Sequence, residues 1–407
     1  MWRSFGIISA LHMLSYALPL LIVPHLVMAV GLKWFGEIAW AQVLVGFFVN
    51  FIDYGLNYFA TAEVAVNKHD KIKINSIVSE VISTKLLLWL LGSVVFLAIV
   101  FFIPGFRSIW PVYVLAYGVT LGTVFTPVFL FQGMGAFVRM QGYTLLSRLM
   151  YFVGVWWLVS ENQHYLRILW LNLISVCLLV VLSVVWMNRQ GFGFRFTTYA
   201  SLRQRIIGGF GVFISSLGAT LALSAPMLVV KMLFNELVLG VYAVVDKLIF
   251  AVRTTVQMLG VSLVDKTSLA LAEKNKEGLK GLRFLMWGLA AFWLLAYGLA
   301  ILFADFISKV LLGEVSDLFV KSLWVLGSLP LFMVLKQYKE LLLVSGGNRT
   351  LFTKATVFSA LSQLILGFAT AYFFGFEGFL ISLFLTELIF VGVVWLEQKR
   401  RPFESNG

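Results

Sequence analysis

Apolar residues run along this chain in blocks that supply about 20 helical residues each, the length that crosses a hydrocarbon core of roughly 30 Å. Charge clusters and Gly, Pro or Asn turns separate the blocks. The pattern predicts twelve spans, at 5–30, 36–60, 81–103, 110–135, 142–160, 165–188, 208–234, 237–262, 284–304, 318–344, 351–374 and 376–397. The longest polar stretches between or beside them, 61–80, 189–207 and 263–283, are too short to fold as domains. A catalytic domain outside the bilayer is therefore excluded.

Composition supports this picture. Of 407 residues, 60% are hydrophobic and only 12% are charged, against roughly 25% in a soluble domain. Lipid must replace water around such a surface. Arg3 is followed by a long apolar run without a small-x-small cleavage motif, so the N-terminal segment reads as the first span.

An even number of spans places both termini on one side. Of the 31 Lys and Arg, 23 then share that side, Lys85 at the start of span three among them. Five lie opposite (Lys33, Arg107, Arg167, Lys309, Lys321) and three fall inside spans (Lys231, Lys247, Arg253). The bias makes the termini cytoplasmic. It also accounts for the net charge of +12, which in a soluble protein would suggest nucleic acid. No nucleic-acid partner is expected. The Asn348-Arg349-Thr350 sequon falls on the cytoplasmic side and carries no weight.

Cofactor chemistry finds no footing. A single cysteine, Cys177, forms no internal disulfide or thiolate site. The four histidines (His12, His25, His69, His164) lack ligand spacing. There is no phosphate-cradling Gly loop and no nucleophile–base pair. No cofactor, metal or enzymatic activity is expected.

The two halves resemble each other. A shift of 204 residues places Gly36 on Gly240, Ala39 on Ala243 and Gln42 on Asp246. Pro127 and Pro330 are 203 apart, and Pro24 and Pro226 are 202 apart. Six spans per repeat is even, so the halves insert in the same sense. The expected fold is an all-α integral membrane protein of about 12 transmembrane helices in two six-helix lobes around a central cavity. The lobes would be 1–188 and 208–407, joined by a cytoplasmic linker at 189–207.

Polar groups inside spans are costly and mark function by default. In span two, Gln42, Asn50, Asp53 and Asn57 fall on one helical stripe, because 11 residues at about 100° each return nearly to the start. In span eight, Asp246, Arg253 and Gln257 do the same, with Lys247 alongside. The shift maps Gln42 onto Asp246 and Asp53 onto Gln257, so the stripes are equivalent. The plainer reading is that they tie helices together within each lobe. Further cations are Arg139 and Arg148 around span five, Lys336 and Lys339 in span ten, and Lys231 in span seven. Anchoring, snorkelling or a local Lys336–Glu340 pair would account for these equally. A two-lobed cavity with positive patches suits an anionic or amphipathic cargo.

Several motifs resemble a known family. Tyr16-Ala17-Leu18-Pro19 through Pro24-His25-Leu26, Phe35-Gly36, Ala39-Trp40-Ala41-Gln42 and Asp53-Tyr54-Gly55-Leu56-Asn57 are similar to the opening of Wzx-type polysaccharide repeat-unit flippases. Thr126-Pro127 through Gln132-Gly133-Met134 resembles their helix-four motif, and Gly240-Val241-Tyr242 with Asp246-Lys247 their helix-eight signature. The resemblance implies the multidrug/oligosaccharidyl-lipid/polysaccharide exporter fold. It implies a cargo of undecaprenyl-pyrophosphate-linked glycan (O antigen or a related repeat), moved from the cytoplasmic to the periplasmic leaflet of a bacterial inner membrane. A polysaccharide polymerase and chain-length machinery would be partners. In this reading Arg253 and Lys247, helped by Arg139, Arg148 or Lys336, hold the pyrophosphate. Asn50, Asp53, Asn57, Gln132 and Gln257 bond sugars or shape a gate. Two alternatives compete: a cation-coupled drug antiporter with Asp53 or Asp246 as its ion site, and a membrane-embedded glycan polymerase. The latter would carry a large outer loop with Arg and His, which 305–317 lacks.

Overall fold

The computed structural model describes residues 20–273, 275–346 and 349–400, apart from the side chains at 255, 257–259, 261–262, 265, 276, 335, 344, 349–350, 353 and 397–400. Most of span one, with the motif at 16–19, and the sequon at Asn348 lie outside the described residues. Every described element is a helix. Eight described helices are long and apolar enough to cross a membrane. The helices Phe137–Leu158 and Glu236–Ala272, which carry many of the intramembrane cations named above, are not among those eight.

The helix boundaries have local causes. Val23–Asp53 is interrupted at Gly31 (φ 80°) and Arg349–Arg400 at Gly375 (φ 65°). Both are left-handed positions that glycine adopts without strain, and both fall at predicted breaks. Asp70, Asn235, Asn275 and Ser316 cap the next helices, each accepting a bond from a backbone N–H three residues on. Span four is broken into Trp110–Gly118, Leu121–Phe125 and Val128–Gly133, with Pro127 between the last two. Span ten is likewise broken at Gly327–Ser328, just before Pro330. The stretch 305–317 is largely helical, in Ala304–Leu312.

Span two does not run to residue 60. Tyr54 (φ 50°) and Gly55 (φ 74°) turn the chain, and a separate helix, Leu56–Val66, follows. The turn allows a close approach: a Cβ on Gly55 would lie 2.5 Å from Val212 Cγ1. Gly55→Ala is expected to destabilise the protein by roughly 2–4 kcal/mol, from left-handed strain plus overpacking. The readout is a lower unfolding midpoint of the detergent-solubilised protein, and an unchanged midpoint would contradict the contact.

The chain divides into two compact units, Met1–Thr220 and Leu221–Gly407, with the boundary inside the helix Tyr199–Leu233. The first unit has a core of Ile52, Leu56, Val64, Ile77, Val81, Phe129, Phe131 and Trp186. The segment 190–198 lies along the first unit: Gly193 N donates to Asn75 Oδ1 (2.8 Å) and Arg195 N to Ser79 Oγ (3.1 Å). The second unit has one cluster of Val256, Leu282, Met286, Val334 and Leu341, and another of Leu343, Ala355, Phe390 and Val394. Large apolar side chains such as Val94, Trp157, Phe284, Leu295 and Tyr372 are exposed. Around a membrane protein these form the lipid face, since hydrocarbon solvates them.

Candidate functional site

Each unit has its own polar cluster in the membrane. In the first unit it centres on Lys85, in the helix Lys71–Phe102 and only 1% exposed. Its Nζ donates to Asp53 Oδ1 (2.8 Å), Asn57 Oδ1 (3.1 Å) and the Thr123 carbonyl (3.3 Å). Asn57 Nδ2 donates to Asp53 Oδ1 in turn. Three acceptors match the three donors of an ammonium, which is how a charge is kept out of water. Asn57, beyond the Tyr54–Gly55 turn, still lies on the Asp53 side. Asn50 donates to Thr220 Oγ1 (2.6 Å), and Gln132 accepts from Thr61 Oγ1 (3.1 Å).

Lys85 does not sit in the cytoplasmic loop set where the charge count placed it. It is the hub of this cluster, and sequence reading missed it because it follows a basic loop and precedes an apolar run. The signal available was Asp53, a carboxylate within a span that required a cation somewhere. Glu37 was also passed over; it is 2% exposed, beside Tyr113 and Trp40.

In the second unit Arg253, Lys336, Gln337, Glu340 and Glu387 line one cavity of about 90 Å³. Arg253 comes from Glu236–Ala272, Lys336 and Glu340 from Leu329–Ser345, and Glu387 from Arg349–Arg400. The first two of these helices pack so closely that a side chain at Gly260 would meet the Gln337 amide. Lys336 Nζ lies 3.2 Å from Glu387 Oε2 and 4.8 Å from the centre of the Phe390 ring. Its carboxylate partner is thus on another helix, 51 positions away, while Glu340 stands within electrostatic range of both. Asp246 is within electrostatic range of Arg253 and Lys247. Two cations and two carboxylates thus surround one space.

The structure gathers Arg253 and Lys336, with Asp246 and Lys247 in the same unit. Asp53, Asn57 and Asn50 are gathered in the other. Gln42 and Arg139 are exposed on the first unit, apart from its cluster, and Arg148 is half-buried. The side chain of Gln257 lies outside the described residues.

The profile of the family described as "Polysaccharide biosynthesis protein" matches residues 1–264, well over half of the chain. The chain belongs to this family. Among named relatives of this polysaccharide biosynthesis protein, a "Putative O-antigen transporter" of Escherichia coli K12 is 23% identical over 389 residues, covering 92% of this chain and 91% of the relative. A "Putative O-antigen transporter" of Shigella dysenteriae is 19% identical over 402 residues, covering 96% and 98%. Among solved structures, an inward-closed lipid II flippase MurJ superposes with a TM-score of 0.75 at 13% identity, covering 96% of this chain and 87% of that one. An inward-facing multidrug resistance MATE family transporter of the MOP superfamily gives 0.74 at 13% identity, covering 97% and 96%. At such identities the structures establish the fold: this family member is a multi-pass membrane protein whose described elements are all helices, arranged as in those structures.

Proposed function

We propose that this chain is a flippase that carries an undecaprenyl-pyrophosphate-linked oligosaccharide, an O-antigen or related repeat unit, from the cytoplasmic to the periplasmic leaflet of the bacterial inner membrane by alternating access. Family membership and two relatives named as O-antigen transporters support the class of cargo. The observation that carries the mechanism is the cavity shared by Arg253 and Lys336. A pyrophosphate needs two or more cationic donors in a space drier than water, where charge-assisted bonds are strongest. Arg253 offers a planar fork for its oxygens. Lys336 joins once the phosphate displaces Glu387, the carboxylate it pairs with. Lys247 adds positive potential from the same helix as Arg253, and Arg139 and Arg148 would receive the headgroup on the first unit. Asn50, Gln132 and Gln257 remain candidate sugar contacts, and Asp53 and Asn57 act through Lys85 by holding the first unit rigid.

Outward movement of an anion is favoured by the inside-negative potential, at about 2.3 kcal/mol per charge per 100 mV. Both termini and the linker are cytoplasmic in this reading, and a polymerase with chain-length machinery would consume the delivered repeats. Asp53 is already spent on Lys85, which weighs against an antiporter with its ion at Asp53. The named relatives are transporters, which weighs against a polymerase.

Deletion of the gene tests the proposal. The expected result is loss of surface polysaccharide, with complete repeat units trapped on undecaprenyl pyrophosphate inside the cell. Complete but unpolymerised units on the periplasmic side would indicate a polymerase instead. An unchanged lipid-linked pool would overturn the proposal in favour of the antiporter.

A further inference from the structure

A second polar recess lies wholly within the first unit, at the end marked by the basic residues Lys68, Lys71 and Arg203. It has a volume of about 470 Å³ and is lined by Phe59, Glu63, Asn67, Lys73, Gln204 and Arg205, among others. That volume falls in the roughly 300–1,000 Å³ range of small-molecule sites. None of these residues belongs to the intramembrane clusters described above.

The recess is held in shape by one guanidinium. Arg205 donates to both carboxylate oxygens of Glu63 (2.6 and 2.7 Å) and through Nε to Glu80 (3.0 Å). Three helices, Leu56–Val66, Lys71–Phe102 and Tyr199–Leu233, are thereby fixed around it. The bidentate pair orients the Glu63 carboxylate, and Arg205 on Oε2 with Ser76 on Oε1 orients that of Glu80, so their remaining lone pairs are acceptors in set directions. Asn67 spends one amide hydrogen on the Glu63 carbonyl (2.7 Å), and Gln204 is exposed at the rim.

Charge decides what such a recess accepts. Glu63 and Glu80 balance Lys73 and Arg205, and all three guanidinium nitrogens of Arg205 already donate to carboxylates. A phosphate could gain the Arg205 fork only by breaking its bonds to both carboxylates, which leaves Lys73 to receive it. A neutral polyol gains acceptors from the carboxylates and both donors and acceptors from the amides. Phe59, 37% exposed, adds an apolar plane. A pyranose ring has this combination of needs, with hydroxyls around its edge and C–H groups on its faces.

We infer that this recess is a glycan subsite that reads the sugars of the repeat unit before translocation. The inference rests on the flippase reading, and it assigns sugar selectivity to Phe59, Asn67 and Gln204.

The test uses the full chain in lipid nanodiscs and two lipid-free probes. One is the repeat-unit oligosaccharide released from the host's own polysaccharide, and the other is inorganic pyrophosphate. A Ser201→Cys, Cys177→Ala chain, whose new thiol lines the recess without replacing an assigned sugar contact, is labelled with a polar maleimide. The oligosaccharide should slow labelling saturably and pyrophosphate should not. Adding Phe59→Ala and Asn67→Ala, which leave the Arg205 clamp intact, should raise the half-protecting concentration about tenfold, as expected from loss of one or two hydrogen bonds and an apolar contact. No protection by the oligosaccharide, or protection undiminished in the double variant, overturns the subsite. The labelling assay is independent of translocation. A failed deletion result would therefore sink the flippase reading while leaving this readout intact.

Discussion

Arg253→Ala is expected to lower surface polysaccharide about ten- to a hundredfold while leaving the amount of protein in the membrane unchanged. The magnitude follows from losing charge-assisted bonds of about 1.5–3 kcal/mol to an anion. Arg253 lines the cavity with Lys336, so its removal halves the formal cationic charge available there. Arg253→Lys should recover part of the activity, because a point charge remains but the planar fork is lost. Export is measured as surface polysaccharide per unit of membrane-inserted protein, alongside the trapped lipid-linked pool. Normal polysaccharide from Arg253→Ala would remove Arg253 from the cargo path. The flippase proposal would then need its phosphate contacts elsewhere, with Lys336 and Lys247 next in line.

The second large effect is on stability. Lys85→Met leaves Asp53 without its cation, and Asp53→Asn leaves a nearly inaccessible ammonium without its counter-charge. Breaking one side of a buried pair costs about 3–5 kcal/mol, because the remaining charge stays desolvated. Each single variant should therefore show a much lower unfolding midpoint in detergent and reduced accumulation in the membrane. Lys85→Met with Asp53→Asn together should recover a large share, since neither charge then remains buried and Asn57 can still bond the new amide. A double variant as unstable as the singles would mean that the cluster contributes specific geometry beyond neutralisation. Single variants with unchanged midpoints would mean that Lys85 reaches water in the folded protein.

These two clusters differ in how far they could be read from the sequence. The breaks between helices were legible, because they depend on local chemistry. Gly31 and Gly375 break helices through left-handed backbone, and Pro127 interrupts span four. The composition of Asp53, Asp246 and Arg253 within apolar runs was enough to single them out, because burial penalises charge wherever it occurs.

Partners were not legible. Projecting Gln42, Asn50, Asp53 and Asn57 onto one ideal helix assumes that the helix continues, and it stops at Tyr54–Gly55. Asn57 still meets Asp53, but through a turn, and Gln42 faces outward. Lys85 looked like the last cation of a basic loop. Only the crossing of three helical segments brings it to Asp53, 32 positions earlier, and to the Thr123 carbonyl. Lys336 had a plausible partner one turn away in Glu340, and the fold gave it Glu387 instead. The sequence by itself determined that the chain is a multi-pass bundle of apolar helices and that Asp53, Asp246 and Arg253 would need company within it, since both follow from transfer free energy and helical period. Tertiary structure decided which charges keep company, because that depends on how separate helices pack, and packing is set by contacts far apart in the chain.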